Sequence, residues 1–201
     1  MPVTLVKPAL PHLASYHAAL VQGWSPDNLR PQVAQEELAK IDTDAVAFLA
    51  DLDQFTGQAA LPDMTGATVT LPDGSQVARL PGFRRWIWDG TFCGSIGMRW
   101  QPGTASLPPH VLGHIGYAVV PWKRQKGYAT AALQQLLPLA QAYGLPYVEL
   151  TTEPANIASQ KVITNNGGVL VETFTALPAH GSVTKLRYRI VLSPAANERT
   201  A

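Results

Sequence analysis

Gly113-His114-Ile115-Gly116-Tyr117-Ala118-Val119-Val120-Pro121-Trp122-Lys123-Arg124-Gln125-Lys126-Gly127-Tyr128-Ala129-Thr130 reads as a buried strand, a tight basic turn and a glycine that opens a helix. Ala129, Leu133, Leu136, Leu137 and Ala140 recur at spacings of three and four, and Tyr143-Gly144 followed by Pro146 supplies the stop. The first N–H groups of such a helix have no intrahelical partner and carry the positive end of its dipole, so main chain alone can hold an anion there. Neither Gly127 nor Ala129 has a side chain large enough to keep a phosphate from that backbone. Lys123, Arg124 and Lys126 add mobile positive charge around the same turn. The stretch predicts a pyrophosphate site.

Working outward, Val3 to Val6 reads as a first strand and Pro11 to Trp24 as a helix. Arg30-Pro31 opens a second helix with an apolar stripe of Val33, Leu38, Ile41, Val46 and Leu49. Residues 55 to 83 carry turn chemistry around short strands, Thr68 to Leu71 and Gln76 to Leu80. Arg84 to Trp88 and Thr91 to Trp100 form a hairpin with Asp89-Gly90 at its tip. Tyr147 to Thr152, Gly168 to Phe174 and Lys185 to Leu192 read as later strands, and Pro194 to Ala201 as a frayed tail. One domain over residues 1–201 accommodates all of this.

Two other phosphate loops are excluded. No Gly-x-x-x-x-Gly-Lys-Ser/Thr occurs, and no Gly-x-Gly-x-x-Gly follows a first strand. ATP and NAD lose their main support.

The Arg-x-x-Gly-x-Ala segment Arg124 to Ala129, followed after the next strand by Asn156-Ile157-Ala158-Ser159, resembles the acetyl-CoA signature of the GNAT N-acetyltransferase superfamily. The resemblance covers about residues 83 to 175. It implies an α/β fold with one mixed, mostly antiparallel central sheet flanked by helices on both faces. That fold's fourth and fifth strands, here Ile115 to Val120 and Tyr147 to Thr152, would form a splayed parallel pair. It further implies acetyl-CoA as cosubstrate, held by Tyr117, Ala118 and Val119 and by the turn Arg124, Gln125, Lys126, Gly127, Tyr128, Ala129 and Thr130. Asn156 and Ser159 would hold it on the other side. The pantetheine amides would pair with the exposed strand edge as an added strand does. The acceptor would be an amine of a small molecule or peptide, and a homodimer is allowed. The tyrosine that protonates the departing thiolate in many relatives is replaced by Ile163, so that proton must come from water or from a tyrosine elsewhere. This departure leaves open a second reading, a non-catalytic acyl-CoA-binding module.

Attack of an amine on a thioester needs a base for the amine proton and donors for the carbonyl. His114 is the leading candidate base, because imidazole titrates near neutrality and the residue lies on the cofactor strand. Strand alternation puts His114 and Tyr117 on opposite faces unless a bulge intervenes. Glu149 is the second candidate, since partial burial could raise its pKa toward neutrality. Glu153 has a weaker claim. Asn156 suits an N-cap.

Other readings are set aside on composition and context. Net charge +1 gives no global attraction to nucleic acid, and although Arg84, Arg85, Trp86 and Trp88 suggest RNA stacking, the two arginines read as a solvated hairpin edge. No apolar run approaches the roughly 20 residues of a membrane span. The lone Cys93 excludes an internal disulfide and reads as a buried apolar residue rather than a nucleophile. A cytoplasmic address follows from the lone cysteine and the absence of a leader pattern. His110 and His114 have a metal-helix spacing, but Pro108-Pro109 and the following strand remove the helix, so no metal is expected.

Overall fold

The computed structural model describes residues 2–28, 30–52, 68–70 and 74–192. In chain order the elements are β1 (Thr4–Val6), α1 (Leu10–Val21), α2 (Val33–Asp51), β2 (Thr68–Thr70), β3 (Gln76–Ala78), β4 (Gly82–Trp88), β5 (Phe92–Arg99), β6 (Ile115–Val119), α3 (Tyr128–Ala142), β7 (Tyr147–Thr152), α4 (Ile157–Thr164), β8 (Val169–Thr175) and β9 (Thr184–Val191). The tail assigned to residues 194–201, and residues 55–67 and 71–73 of the 55 to 83 segment, lie outside the described residues.

β1, β4, β5 and β6 form one antiparallel sheet in that order, and β7, β9 and β8 form another. β2 and β3 make a separate hairpin. The parallel central pair is not confirmed: β4 pairs antiparallel with β5, β6 and β7 share no ladder, and every strand pairing among the described residues is antiparallel.

Strand alternation divides the core. Ile87, Ile96, Met98 and Ile115 point to the face covered by Leu133 and Leu136 of α3 and Ile163 of α4, together with Val148 and Leu150 of β7. Trp86, Phe92, Ala118 and Val120 point to the opposite face, against Tyr16 and Leu20 of α1 and Phe48 and Leu49 of α2. Tyr16 stacks on Trp86 with ring centroids 4.6 Å apart.

α2 is interrupted. Asp44 is extended (φ −157°, ψ 95°) and its carboxylate accepts the N–H groups of Val46 at 3.0 Å and Ala47 at 2.9 Å. Asp44 therefore caps a second helical segment, as a short acidic side chain does. Val46, expected in the apolar stripe, is exposed.

Arg84 departs from the expected solvated edge. Its Nη1 donates to buried Glu37 at 2.9 Å and to the Tyr16 hydroxyl at 3.3 Å, while Tyr16 also donates to Glu37. The triad ties α1 and α2 to β4.

Candidate active site

β6 and β7 meet at one point and then part. There the His114 N–H donates to the Glu149 carbonyl at 2.7 Å, and the Glu149 N–H donates to the His114 Nδ1 at 3.0 Å. The approach requires Gly113: a methyl group at that position would lie 2.9 Å from the Glu149 carbonyl oxygen and 3.3 Å from the Leu150 Cα. Beyond it, the β6 edge that faces β7 has no strand partner among the described residues.

The divergence leaves a cavity of about 800 Å³. Tyr117, Ala118, Val119, Arg124, Gln125, Gly127, Tyr128, Ala129, Thr130, Asn156 and Ser159 all line it. Lys126 is exposed and outside the lining; the candidate bases His114 and Glu149 are buried and also outside it. Thr151, Thr152, Glu153 and Lys185 join the lining from the other wall.

At the mouth, Gly127 is the N-cap of α3 in a left-handed conformation (φ +75°), and Gln125 is also left-handed (φ +62°). Open space surrounds the Gly127 α-carbon, so it is the backbone angle that requires glycine there. No side chain caps this helix; the first intrahelical bond runs from Ala131 N–H to the Gly127 carbonyl. The N–H groups of Tyr128, Ala129 and Thr130 thus have no acceptor inside the helix.

Lys123 is not the mobile charge the sequence suggests. Its Nζ donates to Asp89 Oδ1 at 2.7 Å and to the Thr91 hydroxyl, while the Tyr128 hydroxyl donates to Asp89 Oδ2 at 2.8 Å. Burial disfavours the Asp89 charge, but the hydrogen bonds from Lys123 and Tyr128 outweigh it and hold its carboxyl far below the usual range. Arg124 turns back, with its Nε donating to the Val119 carbonyl at 3.2 Å. The hairpin tip therefore braces the turn.

On the other wall, Asn156 caps α4 by accepting the Ser159 N–H at 3.0 Å. The Ser159 hydroxyl and the Tyr117 hydroxyl are hydrogen-bonded at 2.8 Å. Burial pushes the Tyr117 phenol up to about 12, partly offset by the Ser159 bond. Ile163, fully buried, also lines the cavity.

The candidate bases lie behind the junction. β6 keeps continuous register with β5 from Ile115 to Val119, so no bulge brings His114 onto the Tyr117 face. His114 is fully buried, and burial pushes its pKa below the ordinary 6.5 against the opposing attraction of Glu149. Its Nδ1 lone pair already accepts a main-chain N–H, which puts the ring proton on Nε2. Among the described residues Nε2 has no hydrogen-bond partner, although the nearby Ala105 carbonyl favours the protonated ring.

Glu149 is also buried, but Arg189 Nη2 contacts its Oε1 at 2.6 Å and Arg187 Nη1 its Oε2 at 3.0 Å. Burial alone would raise its pKa; the two arginines reverse the sign and lower it. Cys93 is fully buried, and burial pushes its thiol up to about 11. It remains a thiol at neutral pH.

The profile of the acetyltransferase (GNAT) domain matches residues 7–169. No curated protein sequence matches the chain. Among solved structures, the microcin C7 self-immunity acetyltransferase MccE, in complex with acetyl-CoA and AMP, is similar at TM-score 0.61 and 13% identity, over 94% of this chain and 92% of that one. RimL, the ribosomal L7/L12 alpha-N-protein acetyltransferase, in complex with coenzyme A, is similar at TM-score 0.60 and 13% identity, over 97% of each chain. The GNAT-family acetyltransferase from Bacillus anthracis is similar at TM-score 0.55 and 16% identity, over 95% of each chain. With the profile spanning most of its length, the chain belongs to the GNAT acetyltransferase family.

Proposed function

We propose that the protein transfers the acetyl group of acetyl-CoA directly to a primary amine of a small molecule or peptide. The observation that carries this reading is the cleft between β6 and β7, which joins an unpaired strand edge to an uncapped helix N-terminus. The pyrophosphate takes the free N–H groups at the start of α3. The two pantetheine amides pair with the free edge of β6. MccE and RimL, with acetyl-CoA and coenzyme A bound, support the choice of ligand.

The amine nitrogen attacks the thioester carbonyl carbon, the carbon–sulfur bond breaks, and sulfur leaves as thiolate. A proton must leave nitrogen and another must reach sulfur. Tyr117 and Ser159 are the proposed source of the second. They line the cavity as a hydrogen-bonded pair, and a phenol held near 12 stays protonated and able to donate. This pair answers the absence of a tyrosine at position 163. For the first proton the reading keeps Glu149 as the acceptor, reached through water because it lies behind the junction; its pairing with Arg187 and Arg189 keeps it ionised but weakens it as a base. His114 then acts as a positioning residue, since its lone pair is committed to the Glu149 N–H.

The test is acetyl-CoA titration by calorimetry together with free-thiol release against a broad amine panel. Micromolar or tighter binding with amine-dependent release supports the reading. Binding without release from any amine would favour an acyl-CoA-binding module, and no binding would reject the assignment of the cleft.

A further inference from the structure

Arg99 ends β5 on the α1 and α2 face of the sheet. It pairs in register with Gly82, and the neighbouring positions Gly97 and Gly116 face each other across β5 and β6. Two opposed glycines leave a bare strip of sheet, and Gly116 is exposed. The Arg99 guanidinium lies over that strip: a methyl group on Gly116 would sit 3.5 Å from Arg99 Nη2.

Of the other arginines, Arg124 at the cleft mouth turns back onto the Val119 carbonyl, and three more are neutralised. Arg84 is paired with Glu37, and Arg187 and Arg189 with Glu149. The Arg99 guanidinium has no hydrogen bond or ion pair among the described residues; Asp27 attracts it only at longer range, and Arg84 repels it. Arg99 is exposed to solvent, although protein atoms crowd and desolvate its guanidinium. Such a planar cation, left without a carboxylate, matches an oxyanion with two coplanar oxygens. Gly116 also lines the acetyl-CoA cavity, so an anion on Arg99 holds its own amine beside the point where β6 and β7 part.

We infer that Arg99 is the acceptor-recognition residue, binding a carboxylate or phosphate of the amine substrate across the Gly97–Gly116 strip. The substrate class is then an anionic primary amine, such as an acidic peptide N-terminus or a phosphorylated amine. The inference rests on the acetyltransferase reading above for the identity of the transferred group.

The test compares matched acceptors, glycyl-aspartate with glycyl-asparagine and phosphoethanolamine with ethanolamine, in the wild-type protein, Arg99→Gln and Arg99→Lys. Wild type should prefer the anionic member by about 30-fold or more in kcat/KM. Arg99→Gln should reduce that preference to within about threefold with acetyl-CoA affinity unchanged, and Arg99→Lys should restore part of it. The dipeptide and phosphate arms separate the two anion sources. Equal rates for anionic and neutral acceptors in wild type overturn the inference while leaving acetyl transfer intact. If no amine is acetylated, the acetyltransferase reading fails instead, and calorimetric titration of the CoA-loaded protein with the same compounds decides. Binding of an anionic member in wild type and its loss in Arg99→Gln sustains the Arg99 site; heats that are equal or absent in both proteins reject it.

Discussion

His114 and the main chain of Glu149 exchange two hydrogen bonds where β6 and β7 separate: the His114 main-chain N–H donates to the Glu149 carbonyl at 2.7 Å, and the Glu149 N–H donates to the imidazole Nδ1 at 3.0 Å. This arrangement fixes the tautomer of His114. The ring accepts at Nδ1, so it has no lone pair left for an amine proton until the junction opens.

In His114→Ala the buried Glu149 N–H loses its side-chain acceptor, and stability should fall by about 1–3 kcal/mol. Denaturant titration measures this. His114→Asn, whose side-chain oxygen can accept the same N–H, should recover part of the loss.

Because burial lowers the His114 pKa, the unfolded chain takes up a proton below the ordinary 6.5 that the folded chain refuses. Stability linked to this residue is full above about pH 6.5 and is lost as pH falls. The melting temperature of His114→Asn should therefore vary less than that of wild type between about pH 7 and 5. Parallel curves would show that the ring titrates freely in the folded protein.

Glu149→Gln removes the proposed proton acceptor, and kcat should drop by about 100-fold with acetyl-CoA affinity nearly unchanged. Steady-state kinetics with an acceptor of low amine pKa, which arrives already deprotonated, should show a smaller loss. The same deficit for every acceptor would remove Glu149 from proton transfer.

Tyr117→Phe and Ser159→Ala should each lower kcat by about tenfold, and the double variant should be little worse than either single one, as groups acting as a unit behave. Additive losses would mean that the two hydroxyls act separately.

Gly127→Glu should abolish acetyl-CoA binding by setting bulk and negative charge at the pyrophosphate site. Gly127→Ala controls for the backbone: at φ +75° it should cost about 1 kcal/mol of stability while retaining binding. Retained affinity in a folded Gly127→Glu protein would move the anion elsewhere.

Local chemistry was legible in the sequence. The spacing of Leu133 and Leu136 marks α3, Asp89-Gly90 marks the hairpin, and Asn156 marks the cap of α4, because each signal lies within a few residues of its structural result. Partners distant in the chain were not legible. Lys123 is neutralised by Asp89, 34 residues away, and the Glu149 pKa is reversed by Arg187 and Arg189, 38 and 40 residues away. Burial alone predicts the opposite sign for that carboxylate. One signal was present but missed: Thr43-Asp44 places a strong capping residue inside an otherwise helical stretch, which marks the break in α2.

The bracing of the Arg124–Gly127 turn by Asp89 has a practical consequence for engineering the chain. A short hairpin tip such as Asp89-Gly90-Thr91 is ordinarily a permissive place to insert a tag or a reporter domain, since such tips concentrate tolerance to change. Here the tip is a structural tie between the hairpin and the entrance of the cleft, through Lys123 and Tyr128. An insertion between Asp89 and Gly90 would leave the strands paired yet displace the carboxylate that steadies the entrance. Such a fusion protein would report on ligand entry rather than on folding.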